Sequence, residues 1–222
     1  MEKYRIRVEL LTDAIFGDGT AVPGVVDSDV LHDEMGFPYM KGKTLKGKIR
    51  EEFEYLCGFG TGWEQTMCPE DGECLEKLFG KPDSDIDGKL YFSHLQLDEP
   101  LRKFFIGMMQ ESQGTENAID SEDILESLTS IRSYTAIDYT NGVAKRGSLR
   151  RVRMINSGLV FYAEVQSMEK LSAKEEALLG SSVSLLRYLG SLETRGKGQV
   201  ECRLFYGDQD ITDYCIGMLG EV

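Results

Sequence analysis

The sequence predicts an α+β fold: a ferredoxin-like (RRM-like) βαββαβ core with a large hairpin insertion. Three observations carry this reading. The N-terminus alternates polar and apolar residues in the period of a strand, two amphipathic helices sit between strand-like runs, and residues 98–157 must leave the sheet and return to it.

The elements follow in chain order. Tyr4, Ile6, Val8 and Leu10 alternate with Arg5, Arg7 and Glu9, the two-residue period of a half-buried strand. A loop rich in Gly and Asp runs from Gly17 to Lys43. Thr44 is a fair N-cap for a helix whose apolar face is Leu45, Ile49, Phe53 and Leu56. Residues 88–97, GKLYFSHLQL, read as a strand with ambiguous alternation. Residues 110–126, QESQGTENAIDSEDILE, are polar and acidic, the composition of a mobile surface segment. The stretch 133–155 reads as an extended arm turning at Asn141-Gly142, a strong hairpin signal.

In GLVFYAEV (158–165), Leu159, Phe161, Ala163 and Val165 share one face of a strand. Ser172 and Glu175 form a capping box before a helix carrying Leu178, Leu179, Leu185, Leu186 and Leu189, with Gly190 as its stop. The last strand turns Val200, Cys202, Leu204 and Tyr206 inward. Both flanks of the insertion are needed to complete one sheet, so residues 1–222 read as a single domain.

Composition narrows the function classes. At 41% hydrophobic and 28% charged this is an ordinary globular chain. It has no run of about 18 apolar residues for a membrane span, and no signal-peptide core at the N-terminus. A cytoplasmic location and no membrane partner are therefore expected. The five cysteines form no tight framework, which favours thiols or a metal site over disulfides.

The net charge of −13 and pI near 4.7 argue at first against nucleic acid. The distribution reverses that impression. Residues 36–50 hold Lys41, Lys43, Lys46, Lys48 and Arg50, and residues 139–163 hold five more bases, Lys145, Arg146 and Arg150 among them, with no acid in either. These 40 residues carry +10, while the other 182, with 15 bases against 38 acids, carry −23. Such segregation marks an anion track on an acidic body. The aromatic RNA-binding signature is absent from the third strand, so RNA is expected on the loops and the insertion rather than on the sheet.

Three stretches together resemble one family. GFPYMKGKTLKGKIREEFE (36–54) resembles the G-x-PY-x-x-G-x-SLKGKLR segment of the RAMP superfamily of CRISPR-associated proteins. YTAIDYTNGVAKRGSLRRVRMINSGLVF (134–161) resembles the thumb hairpin of that superfamily's backbone subunits in type III interference complexes, and LGSLETRGKGQVECRL (189–204) is similar to their C-terminal glycine-rich loop. LFG (78–80) and GKLYFSHL (88–95) lie between them in the expected order.

The resemblance implies a backbone subunit that binds a guide RNA, stacks with copies of itself into a filament beside other type III subunits, and cleaves complementary target RNA at regular intervals. It implies a thumb that inserts between guide and target, its bases on phosphates and its tip blocking one target nucleotide. Lys46 and Arg50, four apart on a helix, would straddle consecutive phosphates near the positive helix end at Thr44, with Gly42 and Gly47 permitting close approach. Gly196 and Gly198 flank Lys197, next to Arg195, in a loop that reads as a phosphate nest or as a plain tight turn before a strand.

For cleavage the informative loop is VVDSDVLHDEMG (25–36). The family's cleaving subunits carry a pattern like G-x-D-x-P-V-x-R-D. Asp27 matches its catalytic aspartate and Asp33 its structural one. Asp29 stands where proline is usual and His32 where arginine is usual, so Asp29 is a rival or metal-sharing carboxylate, and His32 reads as a surface residue. A divalent cation, magnesium or manganese, would assist. Cys57, Cys68 and Cys74, in a loop at about 57–80, sit where some relatives hold zinc, with His94 a remote fourth ligand; buried thiols are the competing reading. Two rival functions remain: a non-catalytic scaffold of the same fold, and a stand-alone metal-dependent enzyme using the acidic loops at 17–34 on a small substrate.

Overall fold

The computed structural model describes residues 2–17, 19–58, 73–81, 88–138 and 140–220. Its centre is β1 (Glu2–Leu10), paired antiparallel on one side with β10 (Val200–Tyr206) and on the other with β9 (Val160–Ser167). Ile6 lies opposite both Leu204 and Ala163, and Val8 opposite both Cys202 and Phe161, so the middle of β1 meets buried residues on each neighbour. Beyond β9 come β3 (Leu90–Phe92), β4 (Leu95–Leu97) and β2 (Tyr39–Met40), and β11 (Gln209–Asp210) closes the opposite edge. Merging β3 and β4 leaves the core order fourth–first–third–second, the ferredoxin-like arrangement read from the sequence.

The ambiguous alternation at 88–97 has a physical cause. Ser93 interrupts the strand: its amide donates to the Glu164 carbonyl at 2.9 Å, and its hydroxyl accepts the Glu164 amide at 2.8 Å. The side chain replaces a rung of the ladder, so the face of the strand changes there.

Helix α1 (Gly42–Gly58) and helix α2 (Glu73–Phe79) follow β2. Leu45, Ile49 and Phe53 are fully buried in one cluster with Tyr4, Ile6, Val8 and Leu10, each worth about 1.5–3 kcal/mol of burial. Thr44 is not the N-cap. The helix begins two residues earlier, and the Thr44 and Leu45 amides donate to the Lys41 carbonyl. Lys46 Nζ reaches the Leu90 carbonyl at 3.2 Å and Arg50 Nη1 the Gly80 carbonyl at 3.1 Å, so α1 is strapped to the LFG turn and to β3.

The insertion opens with α3 (Glu99–Ser112), with proline in its first turn, and α4 (Ser121–Leu128). The acidic stretch 110–126 therefore contains a helix rather than a mobile segment. Asp120 accepts the Glu122 and Asp123 amides in a capping box, and Ile124, Leu125 and Leu128 are buried. The many acids obscure this three- and four-residue apolar spacing. The arm itself is β5 (Thr129–Tyr134) paired with β8 (Arg150–Ile155), extended by β6 (Ile137–Asp138) and β7 (Val143–Ala144) around the turn at Asn141-Gly142. Its root is core, with Met154 and Ile155 fully buried, while its far end is exposed.

Helix α5 (Ala173–Leu185) carries the Ser172–Glu175 capping box but ends before Leu189. Gly190 is no helix stop; it stands at φ 98° in the loop that follows. Helix α6 (Thr212–Gly220), unforeseen from the sequence, packs on α5, where a Cβ on Gly180 would strike Cys215. Cys202 and Cys215 are core residues, and burial pushes their thiols up to about 12 and about 11.

Two glycines of α1 separate packing from propensity. A Cβ on Gly42 would collide with the Phe92 and Ser93 carbonyls, whereas one on Gly47 meets nothing within 4 Å. Gly42→Ala should destabilise by about 1–3 kcal/mol. Gly47→Ala should stabilise by about 1 kcal/mol through helix propensity. Thermal unfolding of the two variants should shift in opposite directions.

Candidate nucleic-acid interface

A cleft of about 820 Å³ opens where three distant parts of the chain meet. Asp27 and Ser28 come from the first loop, Lys145, Arg146 and Arg150 from the arm, and Arg195 from the glycine-rich loop. The four cations are exposed, and among the described residues none has a carboxylate partner. Five of the site residues singled out from the sequence thus line one surface.

The acid loop is fastened to the arm's root residue by residue. The Asp27 amide donates to the Arg151 carbonyl at 2.8 Å, and the Arg151 amide returns a bond to Asp27 Oδ2 at 2.7 Å. Ser28 pairs in parallel with Val152, and the Arg153 amide donates to the Ser28 carbonyl at 3.0 Å. Asp29 then meets Arg153, Oδ1 to Nε at 3.0 Å, with the two side chains only 7% and 5% exposed. Asp29 also accepts the Val30 amide. A carboxylate so enclosed and paired has no access to a ligand, so Asp29 is not the rival catalytic group it resembled in sequence. Asp27, by contrast, is exposed and open to a ligand.

Farther along, Asp33 Oδ1 accepts the Met35 and Phe37 amides while Oδ2 lies 2.8 Å from Arg102 Nη2 on α3. The Arg102 guanidinium stacks 4.3 Å over the Phe37 ring. Gly36, at φ 85°, admits the Ser121 carbonyl at the start of α4 where any side chain would collide. The insertion's two helices therefore brace the loop from behind. His32 is exposed, its Nδ1 3.1 Å from the Asp33 carbonyl, a surface placement.

The anion track divides. Lys46 and Arg50 turn to backbone carbonyls, and Arg50 also pairs with Glu54 at 2.9 Å. Lys48 bridges Glu51 and Glu193 at 3.2 and 3.7 Å. Burial works to lower its pKa, but those carboxylates outweigh it and leave the pKa raised. The expectation that Lys46 and Arg50 straddle phosphates is therefore corrected: both hold α1 in place. Lys41 and Lys43 at the helix start remain exposed with no carboxylate partner among the described residues. Gly47 lies one turn beyond Lys43, open to solvent. This is the face a backbone ligand can approach.

The glycine-rich loop is no phosphate nest. The amides of Arg195, Gly196, Lys197 and Gly198 donate to the carbonyls of Leu192, Glu193, Leu192 and Asp13. Lys197 Nζ pairs with Asp13 Oδ2 at 3.1 Å. What the loop offers outward is Arg195, beside Leu192, a non-glycine residue at φ 64°.

The cysteine expectation meets a geometric obstacle. Cys57 and Cys74 are half-buried against the core, and Cys68 lies outside the described residues. His94 Nδ1 accepts the Gly42 amide at the first turn of α1. Cys57 is near the other end of that helix, roughly 22 Å away at 1.5 Å per residue. His94 is therefore not a ligand beside these thiols, and no group of three metal ligands occurs among the described residues. In the cleft, Asp27 has one carboxylate oxygen uncommitted and cations around it. Of the ligands a divalent ion would need, the described part of the cleft offers that one carboxylate oxygen.

Sequence reasoning missed the Asp29–Arg153 pair. Its only signal was an aspartate two residues past Asp27 and a cation two residues past Arg151, spacings that become partners once the strands align in parallel.

The family model of the RAMP superfamily matches residues 7–201, and the chain belongs to that superfamily. Two relatives carry the name CRISPR system Cms endoribonuclease Csm3. The one from Mycobacterium tuberculosis is 26% identical over 204 residues, covering 83% of this chain and 78% of the relative. The one from Methanocaldococcus jannaschii is 30% identical over 187 residues, covering 81% and 68%. A chain in the cryo-EM structure of Type III-B Cmr-beta bound to cognate target RNA superposes with a TM-score of 0.65 at 17% identity, covering 92% of this chain and 97% of that one. The apo Type III-B Cmr-beta structure gives 0.65 at 16% identity, with 94% and 99% covered. These structures share the fold.

The division of the lysines is testable. Lys41→Ala with Lys43→Ala should leave the melting temperature unchanged. It should weaken RNA binding and reduce the salt slope by about 1.4, the amount for two single-strand phosphate contacts. Lys46→Ala should instead lower the melting temperature and leave the slope intact. The opposite pattern in a fluorescence titration at several salt concentrations would return Lys46 to the RNA surface.

Proposed function

We propose that this chain is a guide-RNA-binding backbone subunit of a type III CRISPR effector complex, and that it cleaves complementary target RNA endonucleolytically at regular intervals. The observation that carries this reading is the convergence of Asp27 with Lys145, Arg146, Arg150 and Arg195 in one cleft. The names of the two relatives support the same reading. Copies of the chain stack along the guide beside other subunits, so that one cleft recurs per copy and sets the interval between cuts.

The chemistry suits an RNA substrate, which brings its own nucleophile. The 2′-hydroxyl attacks the adjacent phosphorus, the bond to the 5′-oxygen breaks, that oxygen takes a proton from water, and the products are a 2′,3′-cyclic phosphate and a free 5′-hydroxyl. Asp27 Oδ2 is held by the Arg151 amide, leaving Oδ1 to orient the attacking hydroxyl and accept its proton. Lys145, Arg146, Arg150 and Arg195 hold the strand by its phosphates and stabilise the charge that builds on the phosphorane. A divalent cation, for which Asp27 is the ligand this chain would supply, would add to that stabilisation.

Asp27→Ala should slow target cleavage by about 10²–10⁴-fold, the usual worth of a positioned acid–base group. Guide and target binding should persist, because a surface carboxylate adds nothing to affinity for a polyanion. Cleavage should also stop with chelator and on a target whose attacking 2′-hydroxyl is replaced by hydrogen. Undiminished cutting by Asp27→Ala complexes would remove this loop from the chemistry and leave a scaffold.

A further inference from the structure

We infer that Asp29 and Arg153 are a positioning pair, holding the Asp27 carboxylate in fixed register on the arm so that the acid and the arm move as one body. The inference rests on the nuclease reading above and concerns residues that touch no RNA. Three consecutive loop residues are matched to three consecutive residues of β8: Asp27 to Arg151 through two hydrogen bonds, Ser28 to Val152 through a parallel bridge, and Asp29 to Arg153 through the ion pair. The first contact lies at an exposed surface, where water competes for both partners, and the second joins half-buried Ser28 to buried Val152. The third is enclosed, with both side chains less than a tenth exposed.

The pair is also anchored at its far side. Arg153 Nη1 donates to Thr129 Oγ1 at 3.3 Å, and that hydroxyl donates to the Leu125 carbonyl at 2.6 Å, on α4. Asp29 accepts the Val30 amide at 2.8 Å, and its own amide donates to the Thr20 carbonyl at 3.1 Å. The ion pair therefore joins the loop on both sides of Asp27 to α4, β5 and β8. Arg153 Nε is buried without a well-aligned hydrogen bond, so its contact with Asp29 is chiefly electrostatic. Removing one partner strands a buried charge, whereas removing both does not. That asymmetry lets positioning be separated from stability.

Asp29→Asn, Arg153→Met and the double variant should be compared as assembled guide complexes, well below their melting temperatures. Each single variant should melt lower than wild type, and the double should recover most of the loss. All three should bind target RNA as wild type does yet cut it about 10²-fold more slowly, the effect of a catalytic group displaced by about 1 Å. Hydrogen exchange gives a reading that needs no cleavage: the Asp27 and Arg151 amides should lose protection in the double variant while the β1 amides keep theirs. A double variant that cuts at the wild-type rate, or whose Asp27 and Arg151 amides stay protected, overturns the assignment. A wild-type complex that cuts nothing would refute the nuclease proposal instead, and the exchange measurement would still decide the role of the pair.

Discussion

The register of β1 between β9 and β10 decides where everything else can be. Leu10 faces Val200, Glu9 faces Val160, and the Leu10 amide reaches the Leu159 carbonyl. The C-terminal end of β1 thus coincides with the N-terminal ends of both neighbours. Whatever follows β1, precedes β9 or precedes β10 must emerge at the same end of the sheet. Those three segments are the acid loop, the returning strand of the arm, and the glycine-rich loop. The cleft is the consequence of antiparallel pairing on both flanks of one strand, and its residues need not be close in sequence to be close in space.

That dependence explains what was legible beforehand. Strand and helix periods are local, so the alternation of β1, β9 and β10 and the capping box of α5 could be read directly. Charge segregation is also visible in a sequence, and it located the cations of the arm. Which cation is available is a different kind of fact. Lys46 and Arg50 read as a phosphate-facing pair because their helical spacing puts them on one face. That face turned out to look at the carbonyls of Leu90 and Gly80, groups fixed by chain segments 30 or more residues away. The acids of 110–126 misled for the converse reason: solvent-facing composition hid a short buried stripe in α4. Gly190 was a good local signal set aside by the tertiary approach of Ile15, and Thr44 was set aside locally, its amide already donating to the Lys41 carbonyl within the first turn.

The two basic stretches, similar in composition, have different physical roles. Of the five cations in residues 36–50, three are consumed by carbonyls or carboxylates, which turns a positively charged segment into a rigid support. In the arm Lys145, Arg146 and Arg150 face the cleft with no carboxylate partner among the described residues, at the end of a hairpin whose root is buried. On a body of strongly negative charge, a polyanion is repelled everywhere except along this track. For the proposed RNA ligand, the acidic surface would thereby contribute to specificity without contact.

The turn that presents Arg195 shows how a strained backbone is held in such a site. Leu192 sits at φ 64°, a conformation that costs a residue with a Cβ about 1 kcal/mol or more. A glycine there would relieve the strain, but it would lose the side chain that packs against the core. The neighbouring Glu193 is tied to Lys48 on α1, and Gly190 and Gly198 let the loop press against the backbone of Ile15 and Leu189. The loop is thus overdetermined from four sides. Arg195 follows a backbone with little freedom left, so on the proposed reading only its exposed side chain remains to be ordered when a phosphate is bound.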